Sequence, residues 1–164
     1  MPEDSLIERD RHDGDAVACL VEPQILAAGV TTTPTVTMRG YDRVVFSILG
    51  GAANDANATL DVLVQQCTQA NDAGADDKNL AGLYGSKAIT QVTAGADFAT
   101  LNQKWLIEVS TEEMDVDAYF DFLLLEITVS ADDTWYIAVE AQRSGADYEP
   151  VAITNITQAI GTTA

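Results

Sequence analysis

The sequence predicts an all-β protein: a two-sheet β-sandwich, jelly-roll-like, with extended N- and C-terminal arms. Three observations predict it. Apolar and polar residues alternate with period two in residues 35–39, 59–67 and 88–93, the pattern of strands with one buried face. The segments between such runs are rich in Gly, Asn and Asp, which turns select for positive φ and local hydrogen bonding. No stretch sustains a helical period beyond a turn or two.

Taken in order, residues 1–15 alternate acids with Arg9 and Arg11 and carry one apolar pair, Leu6 and Ile7. They read as an N-terminal arm able to dock on a neighbouring subunit through that pair. Residues 16–150 form the sandwich domain. Its first strand is expected at 16–21, stopped by Glu22-Pro23, with an apolar link at 24–29 and extended chain through Pro34. Residues 35–39 make a half-buried strand that ends at Gly40. A strand at 43–49 is closed by Gly50-Gly51, read as a place to turn rather than a phosphate cradle. After the turn at 54–57, residues 59–67 show the clearest alternation of the chain, with Leu60, Val62 and Val64 on one face. They are expected to pair with 43–49 as a hairpin.

A long loop at 68–80 precedes the alternating run 88–93. Residues 105–109 form a further strand, and Thr111-Glu112-Glu113-Met114 resembles a capping box opening one helical turn. Residues 118–143 contain two apolar runs around Ser130-Ala131-Asp132-Asp133, read as a second hairpin. In the first run Leu123, Leu125, Ile127 and Val129 share one face and are assigned to the core. Phe120, Phe122 and Leu124 lie on the other, which a lone subunit would leave bare. Residues 151–164, with Ile153, Ile156 and Ile160, form a C-terminal arm or edge strand. The interface candidates are therefore Leu6, Ile7, Arg9, Arg11, Phe120, Phe122, Leu124, Ile153 and Ile156.

Composition narrows the function. Of 164 residues 26 are acidic and 8 basic, a formal charge of −18 that repels nucleic acid. No apolar run reaches the ~20 residues of a membrane span, and the N-terminus lacks the order of a secretion signal. Cys19 and Cys67 fit no metal spacing and read as buried thiols. The single histidine, His12, falls in the charged arm, where it cannot be held as a general base. The acids at Asp72/Asp76/Asp77, Asp115/Asp117 and Asp132/Asp133 match turns better than a calcium loop, and no carboxylate pair stands out. Trp105, Phe120, Phe122 and Trp135 read as core or interface residues. No catalytic, cofactor or metal site is expected, and the chain is read as non-enzymatic.

The succession "RVVFSILGG", "ATLDVLVQQCTQANDAG", "KAITQVTAGADFATLNQKWLIEV" and "YFDFLLLEITVSADDTWYIAVEAQR", over residues 41–151, resembles the decoration (cement, or auxiliary head) proteins of tailed-bacteriophage capsids. Many of those carry DG-x-T-W after the strand matching residues 60–66; here Asn71-Asp72-Ala73-Gly74-Ala75-Asp76-Asp77 stands there without a tryptophan. The resemblance implies a non-enzymatic virion protein on the capsid exterior, partnered with the major capsid protein and forming a homo-oligomer, a trimer favoured. A head-tail connector or tail component is the alternative in the same setting. A carbohydrate- or receptor-binding module is the alternative of another class.

Overall fold

The computed structural model describes residues 16–70, 76–81, 87–95 and 102–146. The expected arms at 1–15 and 151–164 lie outside them. Among the described residues eight strands follow in order: β1 Ala16–Thr32, β2 Val36–Thr37, β3 Tyr41–Ala53, β4 Thr59–Cys67, β5 Lys78–Asn79, β6 Ala88–Thr93, β7 Gln103–Ser110 and β8 Phe122–Ala146. All the strand pairs are antiparallel. The fold is the all-β, sandwich-like one expected, and β8 is its spine.

The first half of β8 pairs with β4 on one edge, and with the end of β1 and with β2 on the other. Its second half pairs with β3 and with the start of β1. β5 and β6 add to β4, and β7 adds to β3. The sheet therefore bends into two layers. One runs β7–β3–β8–β1; the other carries β4, β5, β6, β2 and the remaining halves of β8 and β1. Side chains from both layers, among them Phe46, Ile48, Leu60, Val62, Leu125, Ile127 and Ile137, form one buried cluster.

Neither expected hairpin exists. Ser130-Ala131-Asp132-Asp133 lies inside β8 and forms a corner, not a reversal: β1 pairs with both halves of β8 along the same edge, which a hairpin would prevent. Opposite those four residues β1 has only Ala28, between Ala27↔Thr134 and Gly29↔Val129. The bend uses Gly29 at φ 117° and Asp132 at φ 66°, conformations open to glycine and, in the second case, to aspartate. β3 and β4 likewise do not pair with each other but with successive halves of β8, and residues 54–58 carry the chain round the same corner. Because the insert has even length, the core face keeps its parity: Leu123, Leu125, Ile127 and Val129 before it, Trp135, Ile137, Val139 and Ala141 after it.

The corner is stitched by polar groups where the ladder is interrupted. Thr59 N–H donates to Ser130 Oγ at 2.8 Å, and Ser130 Oγ in turn bonds Asp133. Thr134 N–H donates to Asn54 Oδ1 at 2.7 Å, and Asn54 N–H to the Thr134 carbonyl at 3.2 Å. Asp55 Oδ1 accepts from Asn57 N–H at 2.7 Å and so shapes the 54–58 connection.

Three smaller expectations are corrected. β1 does not stop at Glu22-Pro23; the register shifts there, and a bulge on a strand paired on one side absorbs the missing N–H of proline. Gly50-Gly51 does not end β3; both lie in the strand. Cys19 is exposed rather than buried, whereas Cys67 is buried as expected. The strands expected at 59–67 and 88–93 match β4 and β6, and the one at 105–109 is the centre of β7. The expected helical turn is the 3₁₀ turn Thr111–Glu113, where Glu113 accepts from Ser110 N–H at 3.1 Å.

Gly29→Ala should destabilise the fold by about 1–2 kcal/mol, since its φ is hostile to any Cβ although nothing crowds the site. Ser130→Ala should cost about 1 kcal/mol by orphaning Thr59 N–H. Urea unfolding followed by circular dichroism measures both, and unchanged midpoints would contradict the corner as described.

Candidate assembly face

The β7–β3–β8–β1 layer turns its second face to solvent, and that face is apolar near the corner. Strand alternation places Ile25, Tyr136, Ala138, Leu49 and Leu106 there, because cross-strand partners share a face: Ile25↔Tyr136, Leu49↔Ala138 and Ser47↔Leu106. Ile25 is 63% exposed, Leu106 62%, Leu49 50% and Tyr136 43%. These are large side chains left wet next to one another, and that adjacency is what distinguishes a patch from scattered surface leucines.

Within the patch lies a shallow hollow of about 370 Å³, lined by Pro23, Leu49, Gly50, Gly51, Asn102, Gln103, Lys104, Tyr136 and Ala138. Small residues make its floor. A Cβ on Gly51 would come within 3.2 Å of the Tyr136 ring, so the glycine lets that ring lie flat along β3. On the core side, a Cβ on Gly50 would sit 2.5 Å from Trp105 Cζ3 and 3.3 Å from Trp135 Nε1. The two glycines thus serve close packing on opposite faces of one strand. Charges edge the patch: Lys104 and Glu108 flank Leu106 on β7, and Glu140 stands opposite Ser47.

The interface candidates read from sequence are distributed otherwise. Leu6, Ile7, Arg9, Arg11, Ile153 and Ile156 lie outside the described residues, as does His12. Leu124 is fully buried within the single chain. Phe120 and Phe122 are half-buried at the far end of the other layer, each beneath a cation. Lys78 Nζ sits 4.1 Å from the Phe120 ring centre, and the Arg39 guanidinium 5.3 Å from that of Phe122. Arg39 also bonds Asp121 at 2.7 Å, and Lys78 bonds Asp115. Gln66, buried at the same end, accepts from Asp115 N–H at 2.9 Å. At this end Phe120 and Phe122 are thus partly covered by the chain's own cations, while Tyr119 stays 76% exposed. The exposed face sequence reasoning missed was written in Ile25, Leu49, Leu106 and Tyr136, all odd against the core register of their strands.

Of the acids expected to shape turns, Asp72 lies outside the described residues, and Asp76 and Asp133 are engaged locally. Asp76 accepts from Thr68 N–H at 3.1 Å and from its hydroxyl, and Asp133 bonds Ser130. Among the described residues no three of His, Cys, Asp and Glu converge as metal ligands. A second, polar hollow at the opposite end of the layer holds Asp42, Arg43, Glu112 and Ser144, with Arg43 already bonded to Glu108 and Ser144 at 3.3 Å each. What the apolar face offers chemically is area and shape rather than a reactive group.

No protein-family model matches the chain, and no curated protein matches it. Solved structures with a similar path do exist. The VP2 subviral particle of infectious bursal disease virus aligns at a TM-score of 0.50 and 11% identity, over 85% of this chain and 35% of that one. The infectious bursal disease virus Gx strain structure gives 0.47 and 10%, over 85% and 34%. The SPBc2 prophage-derived protein YomS gives 0.44 and 10%, over 80% and 93%. The chain thus spans about a third of the VP2 chain's length, and the likeness is one of fold.

Gly50→Ala should push the Trp105 ring outward, cost roughly 1–3 kcal/mol as overpacking does, and shift tryptophan emission to longer wavelength. Gly51→Ala meets Tyr136 Cβ and Cδ1 at 3.2 Å, a tight contact rather than the 2.5 Å overlap at Gly50, and should cost less than Gly50→Ala. The reverse order would mean that the two glycines do not pack as described.

Proposed function

We propose that this chain is a non-enzymatic virion structural protein that decorates the outside of a phage capsid. It binds the major capsid protein and stabilises the shell through many repeated weak contacts. The observation that carries this reading is the apolar face of Ile25, Leu49, Leu106 and Tyr136 on a body of net charge −18. Such a surface is unfavourable in water and suits burial against a protein partner. Two further points support it: the layout resemblance in residues 41–151, and a strand path shared with a protein of a subviral particle. The arms at 1–15 and 151–164 act as grips on neighbours. A homo-oligomer belongs to the proposal; the trimer rests on the resemblance alone.

A second reading has one observation in its favour. Tyr136 borders a hollow that Asn102, Gln103 and Lys104 also line, an aromatic beside polar groups such as a sugar-binding face uses.

Purified particles decide between them. Decoration requires the protein on the shell surface in many copies. Ile25→Asp/Leu49→Asp should lower that occupancy while leaving circular dichroism unchanged, and deletion of residues 1–15 should lower it independently. A single ring of copies at one vertex would make the chain a connector. Absence from particles, with glycan binding abolished by Tyr136→Ala, would replace decoration by the carbohydrate reading.

A further inference from the structure

The two edges of the β7–β3–β8–β1 layer are not alike. β1 carries register shifts at Leu20, at Glu22-Pro23 and at Ala28, the irregularities by which natural sheets discourage edge pairing. β7 carries none. Its eight residues run in unbroken register with β3, from Arg43↔Ser110 to Gly50↔Gln103, with no proline. Among the described residues no strand pairs with its outer edge, although Lys87 Nζ donates to the Glu108 carbonyl at 2.8 Å.

We propose that two copies of the chain join edge to edge through β7, antiparallel, with Lys104 of each facing the partner's Glu108 across a central pair of Leu106 side chains. The sequence of β7 selects that register. Side chains directly opposite in an antiparallel pair share a face, so only registers matching core-side residues to core-side residues continue both surfaces of the layer. Of these, the one centred on Leu106 sets Lys104 opposite Glu108 twice by two-fold symmetry, and Trp105 opposite Ile107 twice on the core side. Sliding the pairing by one such step puts Leu106 against a charge, Lys104 in one direction and Glu108 in the other.

The side chains are available for it. Lys104 has no ion-pair partner among the described residues, Leu106 is 62% exposed, and the Glu108 carboxylate makes an exposed contact to Arg43 at 3.3 Å, while the Glu108 carbonyl accepts from Lys87 Nζ at 2.8 Å, a bond the partner strand replaces. Two bodies of charge −18 repel, so a contact between them needs local charge exchange of this kind. The joined layer has eight strands and brings the two apolar faces side by side. This contact does not depend on the virion reading, since it forms in dilute buffer without particles.

Sedimentation equilibrium of the full-length protein tests it. The wild type should be a dimer. Lys104→Glu places like charges opposite each other twice and should weaken association by about tenfold or more. Lys104→Glu combined with Glu108→Lys should restore it. In a Cys19→Ser background, Leu106→Cys should give a disulfide-linked dimer on mild oxidation, because Cα atoms directly opposite lie within disulfide reach. Leu49→Cys, one strand inward, should not. A monomeric or trimeric wild type overturns the proposal, as does a dimer indifferent to Lys104→Glu. Failure of Leu106→Cys to cross-link overturns it even if the charge variants fail to fold.

Discussion

The bend of β8 is the constraint on which the rest of the molecule depends. β1, β2, β3 and β4 all hydrogen-bond to β8 directly, and β5, β6 and β7 are attached through β4 or β3. A spine shared by both layers can fold over only if its neighbours bend along the same line. β1 does so at Ala28-Gly29, β8 at residues 130–133, and the β3–β4 course by leaving the sheet between Ala53 and Thr59. Backbone groups that lose ladder partners there are recovered by Ser130, Asn54 and Asp55, so the corner costs little hydrogen bonding. Trp135, fully buried just beyond the corner, anchors the start of the second layer's core.

What could be read from sequence follows from that constraint. β4 and β6 do not cross the bend, β4 beginning where it ends, and period two identifies both with their bounds. Leu123, Leu125, Ile127 and Val129 are legible as core, and all four are buried, because parity within an uninterrupted strand is local information. The expected end of β1 at Glu22-Pro23 falls on a register shift, and the buried Val21 and Leu26 on either side of it are spaced by five, so no alternation marks the strand's continuation. The Ser-Ala-Asp-Asp insert has the composition of a reversal and of a corner alike. Only the continuous pairing with β1 separates them, and that is long-range information. Gly50 and Gly51 were read as punctuation because a glycine required by a tryptophan on a neighbouring strand looks the same in one dimension.

The cations show a similar gap between chain and fold. Scattered in sequence, several of them act as clamps in space. Arg39 and Lys78 each join an acid and an aromatic ring. Lys87 reaches the nearly buried Glu113 at 2.9 Å, and Arg143 lies over Tyr41 while donating to the Thr37 carbonyl at 3.0 Å. At the far end Arg39 and Lys78 thus cover part of Phe122 and Phe120, which stay half-buried. Among the described residues Lys104 is left over, on the strand whose outer edge no other strand covers.

An apolar face and a large negative charge are complementary rather than contradictory. The charge acts over a Debye length, about 8–10 Å at moderate salt, and holds copies and most other acidic proteins apart whatever their orientation. The apolar face acts only at contact and is indifferent to partner identity. Together they penalise every encounter except one that places complementary charge beside the hydrophobic patch, which is how specificity arises from a repulsive background. On this chain the position where a cation and an acid bracket an exposed leucine on an unbulged strand is β7. The corner brings that strand to the margin of the same layer whose face Ile25, Leu49 and Tyr136 make apolar. On the reading proposed above, a surface of that kind selects protein neighbours by fit and charge.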